Sequence, residues 1–377
     1  MLQLLPGAAG SASRVPPSVV KLATMAKPGL HIPSLDGLRA ISFLLVFVAH
    51  AGLDGVVPGG FGVTVFFFLS GFLITTLMRI EFDETGRVSL KNFYLRRVLR
   101  ILPPFYTVLV AATALTAFGV LRGDILLKPF LAQVLHATNY WEVAYGYDGT
   151  ARGTGVYWSL AVEEHFYVLF PLLYLTMRRL GLGNATQAKV LAGLCFAILL
   201  WRCVLVYGLH APTNRTYLAS DTRVDSILFG CLLAVYGNPV LDKSLVGERV
   251  WKLVLLPLAL ATLLFSFAFR GEAFRETFRY SLQGLALAPV FVCAIRFPGW
   301  GFMRLLNLRP VAFVGVLSYS LYLLHHVILF AFRDRLQPPF GPLTGAVAAL
   351  ALSLVLAQLI HVVIERPCAR LRRRFSA

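Results

Sequence analysis

Ten long apolar blocks, separated by short polar segments, dominate the chain. They cover about 38–56, 60–79, 102–121, 155–177, 188–208, 224–238, 250–269, 279–297, 310–331 and 343–364. Within each block the apolar residues run on continuously and do not alternate with period two, which predicts helices and argues against a barrel. A helix rising 1.5 Å per residue needs about 20 apolar residues to cross a hydrocarbon core of roughly 30 Å. All but the sixth block, which is short, approach that length. The pattern predicts an all-α polytopic integral membrane protein with about ten transmembrane helices.

Composition supports this class. Hydrophobic residues make up 58% of the chain and charged ones 14%, against about 45–50% and about 25% in ordinary soluble domains. A net charge of +17 raises the question of nucleic acid, and the placement of the basic residues argues against it. Most of the 35 lysines and arginines fall in the two tails and the even-numbered loops. That bias predicts both termini in the cytoplasm, and a bacterial inner (plasma) membrane is the expected location. Residues 1–30 lack the apolar core of a signal peptide and read as a flexible N-terminal tail. Residues 31–370 form the membrane domain, and 371–377 a basic cytoplasmic tail. Five scattered cysteines (Cys195, Cys203, Cys231, Cys293, Cys368) suit neither a disulfide framework nor a metal site, so no metal is expected.

Ionisable groups inside spans are costly, roughly 2.5–3.5 kcal/mol each at a helix centre, so they mark candidate chemistry. In LDGLRAISFLLVFVAH, Arg39 and His50 lie eleven positions apart, about three helical turns, on one face at different depths. GGFGVTVFFFLSGFLI follows, with small residues that allow close helix approach. KNFYLRRVLRILPPFY then places Arg96, Arg97 and Arg100 on adjacent turns at the membrane surface, with Tyr106 nearby. Such arginines hold anionic headgroups or clamp the phosphates of a nucleotide-bearing donor. WSLAVEEHFY brings Trp158, Ser159, Glu163, Glu164 and Tyr167 into the fourth span, entering from the side where His50 lies. A glutamate beside His50 would orient it as a general base. RVDSILFG offers Arg223 and Asp225, expected to pair or to contact a polar acceptor, and SYSLYLLHH offers Tyr319 and His325. HVVIERP reads as a stop and anchor. The loop at 122–154, with Tyr140, Trp141, Tyr145 and Tyr147, presents aromatic faces on which sugar rings can stack.

Taken together and in this order, DGLRA with His50, GVTVFFFLSGFLI, RRVLRILPPFY, WSLAVEEHFY, RVDSILFG, SYSLYLLHH and ERP resemble the membrane-bound acyltransferase 3 family, over about residues 32–370. The resemblance is to the form without a fused C-terminal hydrolase-like domain. It implies an O-acyltransferase that carries an acyl group, most often acetyl, from cytoplasmic acetyl-CoA to a hydroxyl of an exopolysaccharide, O-antigen or lipid-linked glycan. By motif, Arg39 and His50 are the implied essential pair, and Glu163 and Glu164 the paired carboxylates, with Glu164 preferred as the partner of His50. Arg96, Arg97, Arg100 and Tyr106 are the implied CoA contacts. Trp158, Ser159, Tyr167, Arg223, Asp225, Tyr319 and His325 are expected on the acceptor. Direct transfer and an acyl-histidine relay both remain open. So do two rivals: a lipid or small-molecule acceptor, and a transporter or flippase of lipid-linked sugars, against which stands the absence of a repeat of the DGLRA-to-His50 pattern in the second half.

Overall fold

The computed structural model describes residues 32–336 and 341–375. The expected tail at 1–30 and the last two residues of the basic tail lie outside the described residues. The first block folds as α1, Pro33–Val48, whose proline sits in the first turn where a missing amide costs nothing. It runs on through a wider turn, Ala49–Leu53, which ends where Gly52 takes a φ of 114°. There follow α2 (Gly59–Thr85), α3 (Leu90–Ala117), the short α4 (Leu127–Val134) and α5 (Thr138–Tyr145), α6 (Trp158–Arg179) and α7 (Asn184–Cys203). After these come α8 (Asp225–Val235), α9 (Leu256–Ala268), α10 (Phe278–Arg296), α11 (Arg309–Ala331) and α12 (Pro342–Ile360).

Among the described residues no strand occurs. Nine helical stretches among the described residues are long and apolar enough to cross a membrane, with α8 as a shorter tenth. The chain is an integral membrane protein. At 11 residues, α8 is roughly 16 Å long and falls short of the hydrocarbon thickness. It is tolerated because nearly all of it is buried in protein, away from lipid.

Helix α2 is enclosed along most of its length, packed between α1 and α8. Small residues make this possible. A Cβ on Gly62 would overlap the Ser42 carbonyl of α1, and Cβ atoms on Gly71 and Gly230 would overlap the Ile227 and Phe68 carbonyls across the α2–α8 crossing. Backbones in such contact gain dispersion that no larger side chain would permit. At the C-terminal ends of α2 and α8, Arg79 donates to the Ala234 and Val235 carbonyls and to Asp242. Arg296, at the end of α10, donates to the Asp242 carbonyl. These ends, with the start of α3, form the basic end of the bundle; α4, α5 and residues 213–223 lie at the opposite end.

One expectation changes. The last helix does not stop at Glu365: a wider turn at His361–Glu365 leads into Arg366–Arg372. The widening leaves room for the Pro367 ring, which would otherwise clash with the preceding turn. Glu365 also accepts from Ser320 of α11 at 2.6 Å, so it ties two helices together.

Candidate active site

Two chambers lie end to end along the bundle. The inner one, about 110 Å³, faces the basic end and is lined by Arg39, Ser70, Arg97, Arg100, Glu163, Tyr167 and Tyr319, among others. Arg39 is held by Asp36 one turn earlier, at 2.7 Å. Neither Arg97 nor Arg100 is ion-paired among the described residues. Arg97 lies over the rings of Phe93 and Tyr167, and its Nε is buried without a hydrogen-bond partner among the described residues. A guanidinium with unused, part-buried donors suits phosphate or pyrophosphate oxygens, so these residues fit the charged end of a CoA thioester. Tyr167 is fixed by a 2.6 Å bond between its hydroxyl and Ser70.

The outer chamber is far larger, about 1330 Å³. Its lining includes His50, His326, Trp158, Tyr217, Tyr280 and Arg279. Here the histidines are arranged by one another. His325 Nδ1 lies 2.8 Å from the Tyr322 carbonyl, which can only accept, so this nitrogen carries the proton. In the neutral ring Nε2 is then an acceptor, and it meets His50 Nδ1 at 2.9 Å. His50 therefore donates from Nδ1 and keeps a lone pair on Nε2, the state a proton acceptor needs. The His50 ring also stacks on His326 at 4.3 Å, and His326 Nδ1 meets the Gly153 carbonyl at 3.2 Å. No carboxylate hydrogen-bonds to these three rings among the described residues.

The anticipated glutamate beside His50 is thus replaced by His325. The reason is depth. Glu163 and Glu164 lie five and six residues inside α6 from Trp158, roughly 8–9 Å along the axis, whereas His50 lies near the outer end of its helix. Glu163 shares the inner chamber with Arg97 and Arg100; Glu164 does not line it.

The other expected residues divide. Trp158 lines the outer chamber, while Ser159 and Tyr319 line the inner one. Tyr319 also donates to the Ile101 carbonyl at 2.9 Å. Arg96 is taken by Glu81 at 2.8 Å and by the Phe375 carbonyl, away from the chamber lining. Tyr106 donates to the Val134 carbonyl of α4. Arg223 and Asp225 do not pair. Asp225 is bound to the fully buried Arg202 at 2.7 Å, and Arg223 is enclosed by Phe67, Trp158, Tyr217 and Tyr280. Arg223 ends the short helix Ser220–Arg223 and Asp225 begins α8, and residues two apart do not face each other, so the two side chains go to different partners. Tyr217, Tyr280 and Arg279 carry no motif that would have singled them out; His326 stands beside a histidine that did.

Behind the outer chamber, the α5 carboxyl of Glu142 is buried and pushed up to about 9, chiefly by burial and partly offset by the Thr138 hydroxyl. Its Oε2 has no partner among the described residues, and burial without compensation favours the neutral acid.

The family model for an acyltransferase domain matches residues 32–362. The chain is similar to O-acetyltransferase OatA of Staphylococcus aureus (strain NCTC 8325 / PS 47), 27% identical over 348 residues, covering 89% of this chain and 57% of the relative. It is also similar to the peptidoglycan O-acetyltransferase OatA of Listeria monocytogenes serovar 1/2a, 27% identical over 353 residues, covering 89% of this chain and 56% of the relative. The chain spans a little over half the length of these relatives. No solved structure matches it significantly.

Proposed function

The chain belongs to the membrane-bound acyltransferase 3 family, and on that premise we propose that it is an O-acetyltransferase taking acetyl from acetyl-CoA and delivering it to a sugar hydroxyl. In this reading the basic end faces the cytoplasm, in accord with the distribution of positive charge. The acceptor is a glycan outside the membrane or carried on a lipid. The Listeria relative's name makes a peptidoglycan sugar one acceptor to test beside exopolysaccharide and O-antigen.

One observation carries the reading: Val63 and Tyr322 line both chambers, with Arg97 and Arg100, not ion-paired among the described residues, on one side and an oriented histidine on the other. Arg97 and Arg100 bind the CoA phosphates, and Arg39 lines the same chamber. An acceptor hydroxyl in the outer chamber gives its proton to His50 Nε2 as its oxygen bonds to the thioester carbonyl carbon. The carbon–sulfur bond then breaks, CoA leaves as thiolate, and the proton on His50 is available to neutralise it. His325 and the Tyr322 carbonyl hold the His50 ring and stabilise the charged form that develops. Transfer is direct, with no serine or cysteine ester required.

The test is labelled acetyl transfer from acetyl-CoA to glycan acceptors by purified protein in proteoliposomes. Covalent labelling that is lost in His50→Ala supports the reading. Movement of a lipid-linked sugar without labelling, or undiminished labelling in His50→Ala, overturns it.

A further inference from the structure

Resting on that reading, we propose that Tyr322 and Val63 form a fixed end wall that measures the acyl chain and restricts the donor to short acyl groups.

Both residues are nearly enclosed, at 6% and 5% exposure, yet each contributes to the lining of both chambers. The Tyr322 ring is anchored rather than free to swing. Its hydroxyl meets Ser159 Oγ at 2.7 Å and the Val156 carbonyl at 3.0 Å. Phe66 packs edge-on against it at 6.1 Å, on the inner-chamber side. The Tyr322 backbone carbonyl, meanwhile, fixes His325 and through it His50. Wall and base are therefore held in one register by a single residue.

That register sets a length. With the phosphates held by Arg97 and Arg100, the arm of the donor runs toward the wall, and the acyl group occupies what remains. In this proposal the acetyl methyl abuts Tyr322 and Val63, and the carbonyl carbon sits where the two chambers share these residues, open to a hydroxyl on the His50 side. Each added methylene either overpacks against an anchored ring or pushes the carbonyl back from the histidine. Packed interiors resist the first, and reaction geometry penalises the second. A hydrophobic pocket discriminates one methylene by about 10- to 200-fold, so a fixed wall accounts for selection without an editing step.

The test compares acetyl-, propionyl- and butyryl-CoA as donors for wild type, Val63→Ala, Tyr322→Leu and Tyr322→Phe, each confirmed monodisperse in detergent. Wild type should prefer acetyl. Val63→Ala and Tyr322→Leu should raise the butyryl-to-acetyl ratio of kcat/KM at least tenfold, while Tyr322→Phe, which keeps the ring, should retain the acetyl preference. Val63→Ala changes no hydrogen bond, so it reads the wall even if Tyr322→Leu fails to fold. Unchanged ratios in active Val63→Ala overturn the wall. A wild type that uses none of the three thioesters removes both the wall and the function on which it rests.

Discussion

His50 and His325 lie on α1 and α11, 275 positions apart in sequence, and meet ring nitrogen to ring nitrogen at 2.9 Å. Because the other nitrogen of His325 is committed to a carbonyl, this contact selects one tautomer of His50. His50→Ala should lower acetyl transfer by about 10²–10⁴-fold, the usual contribution of a positioned base. His325→Ala should lower kcat more than it raises KM for acetyl-CoA. His325→Gln, which can both accept and donate, should recover part of the loss. Steady-state kinetics on the three variants, in one lipid composition, decides whether His325 acts through His50.

Arg97 and its neighbour Arg96 separate donor binding from structure. Arg97 carries an unused buried donor beside the inner chamber, whereas Arg96 is spent on Glu81. Losing a hydrogen bond to a charged group costs about 1.5–3 kcal/mol, so Arg97→Ala should raise KM for acetyl-CoA by roughly 10- to 150-fold. Arg96→Ala should leave KM within about threefold and lower thermal stability slightly. Equal effects of the two substitutions on KM would count against the donor site.

The buried Arg202–Asp225 pair predicts asymmetric damage. Both side chains are fully buried, and Arg202 also donates to the Thr277 and Thr222 carbonyls and to Ser281. Arg202→Met alone strands a carboxylate and should cost about 3–5 kcal/mol, whereas Arg202→Met with Asp225→Leu should recover much of it. Thermal unfolding in detergent measures both.

Glu142 predicts a pH dependence of stability. A carboxyl whose value rises from 4.5 to about 9 on folding binds its proton more tightly in the native state. Stability from this group is therefore present in full below about pH 4.5 and is lost as pH rises toward and through 9. Glu142→Gln keeps the shape and removes the titration. Its melting temperature should fall less than that of wild type between pH 6 and 10, a comparison made by thermal scans across that range.

At the α2–α8 crossing, Gly71→Ala and Gly230→Ala should each destabilise by about 1–3 kcal/mol through overpacking, because the added carbon would overlap a carbonyl of the other helix. Gly86→Ala offers a contrast: its Cβ would meet nothing, and only its φ of 71° would be strained. The yield of monodisperse protein orders the three.

The chain's membrane class and the order of its spans were legible from apolar runs alone, because lipid imposes one local rule on every segment that crosses it. The short sixth block was visible too, though burial explains why eleven residues suffice. Arg39, His50 and the arginines of α3 stood out because charge in an apolar run is locally expensive. Pairing was not legible. Glu163 and Glu164 suggested themselves as partners of His50 because the fourth span enters from the side where His50 lies, yet His325 holds that position; Arg223 and Asp225, two residues apart, turn to different partners.

Sequence by itself determined what each segment must bury and which residues are too costly to be idle, since those follow from transfer energies of single side chains. The tertiary structure decided which of them meet. Depth along a helix, rotation about its axis and the close α2–α8 crossing are set by packing among distant segments. The wall at Tyr322, the tautomer of His50 and the division into two chambers arise only when those helices come together.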